Sequence, residues 1–276
     1  MRPRRHWSLA DVDWAAFRAD LVDARTLWIV HATCLVESRA DLYAAYTGEV
    51  VRGASQPGAE DLIHEWGEEE AQHGHALQAW LALADPETSF AERDEDYRSN
   101  VAYYVADGTP VRGSVQNELF CRCIVEALAS AYYRAIHDST EEPVLRELCV
   151  KLARDEARHF SMFRRLLMAE REKGANSLWR NTWLTLRRVK ELENDQVAYA
   201  FHCSGPEGES SCYGQKDAAR RFLPNLYDLY EPEHLEYAGR LVAKAFDIRL
   251  PSQAFRALAL AATAYVRGRA TYMRRA

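Results

Sequence analysis

The sequence has no Cys-x-x-Cys pair, no apolar run long enough to cross a bilayer, and no alternating apolar and polar stretch bounded by hairpin turns. Each absence excludes a class of protein. Zinc ribbons and rubredoxin-type iron sites need closely spaced thiolate pairs, and the six cysteines (Cys34, Cys121, Cys123, Cys149, Cys203 and Cys212) provide none. Cys203 and Cys212 flank a Gly/Ser-rich loop and are expected to be free thiols in a cytoplasmic chain, although oxidation would join them. The most apolar late run, ALALAATAYV at 257–266, is too short to span a membrane, and no run of signal-peptide length follows RPRR. An excess of positive charge is also missing: 35 Lys and Arg stand against 41 Asp and Glu, a formal net charge of −6. That balance argues against a nucleic-acid binder and leaves the basic ends, MRPRRH and RGRATYMRRA, to be read as solvated tails.

Glycine and proline are scarce as well, 13 and 9 in 276 residues, so the chain has few places to break. Between the breaks, apolar residues recur three and four apart in segments rich in Ala, Leu, Glu and Arg, which is a helical period. The pattern predicts an all-α protein with long helices over 14–52, 59–83, 113–137 and 139–170. The last would start from a capping box of Ser139 and Glu142 with Pro143 in its first turn. The 84–113 link is long enough to cross a bundle and to hold a short helix near 91–104. Residues 1–172 are expected to form the bundle. Residues 173–276 would be a helical extension packed on it, with helices near 177–193, 233–246 and 252–266 and the glycine-rich loop of 203–214 between the first two.

Charge is present where burial is expected. In WGEEEAQHGHAL (66–77), Glu70 and His73 are three apart, so both leave one helix face, the face shared by Trp66, Leu77 and Trp80. About one Glu-x-x-His is expected by chance in a chain of this composition, and Glu231–His234, which follows a loop and contains Pro232, reads as an exposed helix start. DEARH supplies another, Glu156 and His159, among Leu152, Phe163 and Leu167. Each has an apolar partner helix with one inward acid: Glu37 in the stripe Val30, Cys34, Ala45, and Glu126 in the stripe Leu119, Cys123, Ser130, Tyr133. Glu37 lies 33 residues before Glu70, and Glu126 lies 30 before Glu156, as in a duplicated helix pair. Four carboxylates and two imidazoles from four helices make a ligand set for two metal ions, and imidazole favours iron over magnesium or calcium. Asp155 and Glu69, each adjoining a ligand Glu, are placed to hold the histidine of the opposite helix: Asp155 to His73, Glu69 to His159. Glu68 is expected in solvent.

These motifs resemble the ferritin-like di-iron carboxylate superfamily. WGEEEAQHG with DEARH is similar to the paired motifs of acyl-carrier-protein desaturases, and the six-ligand scheme to rubrerythrins and ribonucleotide reductase small subunits. The resemblance covers about residues 14–170. It implies a ferritin-like four-helix bundle in which Glu70 and Glu156 bridge two irons, Glu37 and His73 complete one, and Glu126 and His159 complete the other. Manganese, alone or mixed with iron, is an alternative cofactor. The chain departs from the desaturase pattern at Gln72, where that family has Arg, and at Ala129, where it has Thr, leaving Ser130 as the nearest hydroxyl. Leu152 stands where arylamine oxygenases of the superfamily carry an additional His.

The function implied is an oxygen-dependent oxidoreductase, a desaturase or hydroxylase of an aliphatic substrate, either an apolar small molecule or one bound to an acyl carrier, supplied with electrons by an external ferredoxin-like reductase. Arg180, Arg187, Arg188 and Lys190 are one candidate dock for an acidic carrier, or else a solvated helix face. The alternative is an iron-binding, ferroxidase or peroxide-scavenging protein with no organic substrate. A metal-free scaffold of buried ion pairs is disfavoured, because clustered acids without a cation are costly to bury. The long helices would also support a homodimer.

Overall fold

The structure, a computed structural model, describes residues 7–52, 54, 56–101, 107–191, 195–205 and 213–275. Among them are eleven α-helices, three 3-10 turns and no strand.

The predicted helix over 14–52 is divided. Three 3-10 turns (Leu9–Asp11, Trp14–Ala16 and Ala19–Leu21) precede α1 (Ala24–Glu37), and a break separates it from α2 (Ala40–Val51). Helix α1 starts where Asp23 accepts a hydrogen bond from the Thr26 N–H at 2.9 Å, satisfying a donor that the helix leaves open. At the break, Ser38 Oγ lies 2.7 Å from the Leu35 carbonyl and 2.6 Å from Asp94, and the Arg39 N–H reaches only three residues back, to Val36 at 3.2 Å. That tighter turn redirects the chain immediately after Glu37.

Helix α3 (Ala59–Ala84) and α5 (Val115–Ser139) lie close to the predicted spans, and α4 (Phe90–Asn100) occupies the link between them. The expected capping box is corrected for α6 (Pro143–Arg171): Ser139 closes α5, and Glu142 itself caps α6. Its carboxylate accepts from Val144 and Leu145 N–H at 3.3 and 2.7 Å, and also from Trp80 Nε1 at 2.7 Å and the Arg18 N–H at 3.1 Å. Four donors satisfy a fully buried acid, so the same residue that starts α6 ties it to α3 and to the N-terminal turns.

Helix α1 packs on α3, α5 packs along α6, and α3 meets α6. Their charged positions fall between two apolar clusters. One holds Ile29, Leu35, Trp80 and Leu148; the other holds Ile63, Trp66, Phe120 and Phe163. Both clusters continue into the later helices, through Phe201 and Phe222 in the first and Leu184 and Leu241 in the second.

Those later helices are α7 (Leu178–Lys190), α8 (Asp195–Ser204), α9 (Gln215–Tyr227), α10 (Pro232–Phe246) and α11 (Ser252–Arg275). Helices α8 and α9 were not foreseen, and α11 runs nine residues beyond the predicted 266. The C-terminal basic stretch is therefore helix rather than tail: Arg267 pairs with Glu231 at 2.7 Å, and Arg274 bonds the Pro224 carbonyl at 3.3 Å. The other predicted tail, residues 1–6, lies outside the described residues, as does Cys212. Cys203 is a buried free thiol 3.1 Å from Asp96. No helix of the described chain is long and apolar enough to cross a membrane.

Candidate metal centre

The six predicted ligands come together in two overlapping groups. Glu37 (α1), Glu70 and His73 (α3) and Glu156 (α6) form one; Glu70, Glu126 (α5), Glu156 and His159 (α6) form the other. Within each group one potential ligand atom per residue lies within 4.8 Å of all the others, and Glu70 and Glu156 belong to both. All except Glu37, which is half-buried, are buried.

Each imidazole is held by one nitrogen and offers the other. His73 Nε2 lies 3.3 Å from Asp155 Oδ2, and His159 Nε2 lies 2.6 Å from Glu69 Oε2, the cross-helix pairs expected from the sequence. Arg158 bridges the two acids, 2.6 Å from Glu69 and 2.7 Å from Asp155. The Nδ1 atoms face inward: His73 Nδ1 is 3.4 Å from Glu156, and His159 Nδ1 is 2.9, 3.6 and 3.7 Å from Glu70, Glu126 and Glu156. Neither Nδ1 has a hydrogen bond of acceptable geometry, and neither does Glu70 Oε1, although all three atoms are buried. Buried polar atoms without partners are rare and costly, and here three of them converge on one spot.

The electrostatics point the same way. Two carboxylates 4 Å apart repel by about 4 kcal/mol at the effective dielectric of a partly buried site, so four cannot all stay ionised without cations. Burial, reinforced by Glu70 and Glu156, lifts Glu37 to about 8. Burial and Glu156 raise Glu126 well above the carboxylate range. Burial also acts on Glu156, but contacts with His159 and His73 prevail and hold it ionised. For His73 burial opposes the charge, yet Asp155 and Glu156 raise it to about 10. The cluster holds its charge balance with protons that a pair of divalent ions would displace.

Several residues adjoin the cluster through contacts that the sequence did not signal. Tyr133, already on the inward stripe of α5, donates to Glu37 Oε1 at 2.7 Å; the Tyr43 hydroxyl lies 3.2 Å from both Glu37 and Glu70. Burial and the adjoining carboxylates keep both phenols protonated. Trp7 donates to Asp155 at 2.7 Å and stacks on His73, with ring planes 10° apart; Gln72 donates to the Trp7 carbonyl at 2.9 Å. Trp66 sets its edge against His159, and the Arg122 guanidinium lies over both Trp66 and Tyr43, 4.9 and 5.3 Å from the ring centroids.

Other predicted positions lie elsewhere. Ser130 is buried, but its hydroxyl donates to the Ala153 carbonyl at 2.7 Å and meets Tyr237 at 3.1 Å, with no ligand carboxylate in reach. Glu68 is exposed beside His64. In the motif read as an exposed helix start, His234 is instead buried, between the Glu231 N–H at 3.0 Å and Asp138 at 2.9 Å, far in role from the cluster.

One water-sized crevice of about 10 Å³ opens between α2 and α5, lined by Tyr46, Thr47, Val50, Glu118, Leu119 and Arg122. A larger groove of about 460 Å³ lies between α9 and α11, lined by Arg220, Arg221, Asn225 and Arg274, and shares no residue with the cluster. Comparison with known proteins finds no matching family model and no match among curated proteins.

Proposed function

We propose that the protein is a ferritin-like di-metal oxidoreductase whose cofactor is a pair of iron ions held by Glu37, Glu70, His73, Glu126, Glu156 and His159. One observation carries this reading: two four-residue groups share Glu70 and Glu156, and the buried Nδ1 atoms of both histidines face their carboxylates without a hydrogen-bond partner. Two irons bound there would supply reduction of dioxygen, with electrons from an external reductase, coupled to removal of hydrogen from an aliphatic C–H bond.

The chain's own groups set the conditions for that chemistry. Asp155 and Glu69 hold the imidazole Nε2 atoms, which leaves each Nδ1 free to ligate a bound ion. Tyr133 and Tyr43 donate to Glu37 and hold protons beside the candidate ligand carboxylates Glu37 and Glu70. Trp7 covers the His73 side, and Trp66 with Phe163 covers the His159 side, excluding water from the ligands.

The crevice beside Arg122 favours a second reading. It has room for about one water molecule, and its Arg122 guanidinium lies over Tyr43 and Trp66, which adjoin the cluster. A peroxide, neutral and of about that size, fits this space where an acyl chain does not, which supports a peroxide-scavenging role for the same centre; a ferrous ion would be repelled by the Arg122 guanidinium.

Metal content after anaerobic ferrous loading tests the shared part. Two irons per chain are expected, falling below one in Glu70→Ala and His159→Ala while helicity is retained; two irons in either variant would overturn the ligand set. Oxygen uptake then separates the readings. Uptake that depends on an acyl substrate and yields a desaturated or hydroxylated product supports the oxygenase. Uptake or peroxide loss coupled only to iron oxidation supports the alternative.

A further inference from the structure

Helix α7 presents to solvent the side that a helix normally buries. It is fixed to α5 by a narrow seam. Leu184, 1% exposed, and buried Asn181 lie on that seam, and Arg188 extends it to Glu191, which pairs with Arg112 at 3.0 Å. The seam positions 181, 184 and 188 follow helical spacing, and so do the positions opposite: Trp179, Trp183, Leu186 and Lys190. Trp179 is 79% exposed and Leu186 65%, with Leu178 at 61% on the flank. Burying them would be favourable, and nothing in the described chain does so.

The charge within α7 is of one sign, and Glu191, just past its end, pairs with Arg187 at 3.8 Å. Residues 178–190 contain no Asp or Glu, and Arg180, Arg187 and Lys190 are all exposed. Arg180 and Arg187 both lean over the Trp183 ring, 5.2 and 5.3 Å from its centroid. Cations with apolar stems thus rim an aromatic and aliphatic ridge. This is the arrangement of helices that lie in a bilayer interface, where Trp sits at headgroup depth and Lys or Arg reach the phosphates.

We propose that α7 docks the protein on an anionic phospholipid surface, lying in the plane of the membrane with Trp179, Trp183 and Leu186 entering the headgroup boundary. Charge complementarity selects this occupant over a second copy of the chain. A two-fold pairing of α7, parallel or antiparallel, would bring the basic face of one copy, with Arg180, Arg187 and Lys190, onto the equally basic face of the other, with no acid within 178–190 to relieve the repulsion. The metal centre plays no part in the inference, so the two can fail separately.

The test is flotation of the full-length protein with phosphatidylcholine vesicles, with and without phosphatidylglycerol. Binding is expected only with the anionic lipid and should weaken at high salt. Trp179→Ser combined with Leu186→Ser should lower the partition coefficient about tenfold or more, and Arg187→Gln combined with Lys190→Gln should remove the preference for anionic lipid. These side chains are exposed, so helicity and melting temperature are expected to be unchanged, which separates lost docking from lost folding. Failure of the native chain to float at low salt, or equal flotation of the Trp179/Leu186 variant, would overturn the proposal. A dimer seen by sedimentation that the same variant dissociates, without vesicle binding, would assign the ridge to a second copy and overturn it as well.

Discussion

Asp155 and Glu69 act on the cluster only through the histidines they hold. Asp155 has three partners, His73, Trp7 and Arg158, and burial alone would raise its pKa; His73 first, then Trp7 and Arg158, keep it ionised. Asp155→Asn retains the size and the Trp7 contact but makes the His73 partner neutral, which lowers the basicity of the ligand nitrogen. Ferrous affinity should fall about 10- to 100-fold, measured by competition with a chromophoric chelator, with helicity unchanged. An unaltered affinity would mean that His73 is not a ligand. The grouping of the six candidate ligands was legible because four of their signals are local: an acid and an imidazole three apart on a helix share a face wherever that helix is placed, and Glu37 and Glu126 stand on the apolar stripes of the partner helices. The Glu37–Tyr133 and Asp155–Trp7 contacts join residues 96 and 148 positions apart, and no spacing rule reaches that far. Tyr133 could be placed on an inward stripe, but its partner could not be named.

At the scale of the helix, the break after Glu37 had no signal because Ser38 and Arg39 do not interrupt the apolar period; the tertiary contact of Ser38 with Asp94 on α4 accompanies the turn. The later helices were blurred for a related reason. Pro224 and the Gly/Ser-rich stretch punctuate a segment whose helicity depends on packing, with Phe222 fully buried against α8 through Phe201. Close crossings inside the ligand region can be tested directly. A Cβ at Gly67 would stand 2.7 Å from the Ala44 side chain, forcing α2 from α3, whereas a Cβ at Gly74 meets Glu37 at ordinary contact distances of 3.4–3.5 Å. Gly67→Ala should therefore destabilise the protein by about 1–3 kcal/mol through overpacking. Gly74→Ala should be neutral or stabilising by up to about 1 kcal/mol from helix propensity. Chemical denaturation of the metal-free proteins would check both, and a reversed order would show that α2 and α3 are not packed at Gly67.

For the whole molecule, the proton balance of the cluster makes folding depend on pH in a direction opposite to that of most acidic proteins. Glu37 and His73 both have folded pKa values above their unfolded ones, about 8 and about 10. The folded state consequently binds more protons than the unfolded chain from about pH 5 upward, and stability is lost as pH rises through that window. Glu156, Asp155 and Glu69, whose values are depressed, contribute stability that disappears only in acid and is constant near neutrality. The metal-free protein should thus melt at progressively lower temperature from about pH 6 to about pH 9. Metal ions bound at the cluster would replace those protons, so their binding should strengthen with pH, and the gap between loaded and metal-free melting temperatures should widen over the same range. Calorimetry of both forms at matched ionic strength measures it, and loading at pH 7 in weak buffer should release at least about one proton per chain. A gap that stays constant, with no proton release, would place the bound metal away from Glu37 and His73.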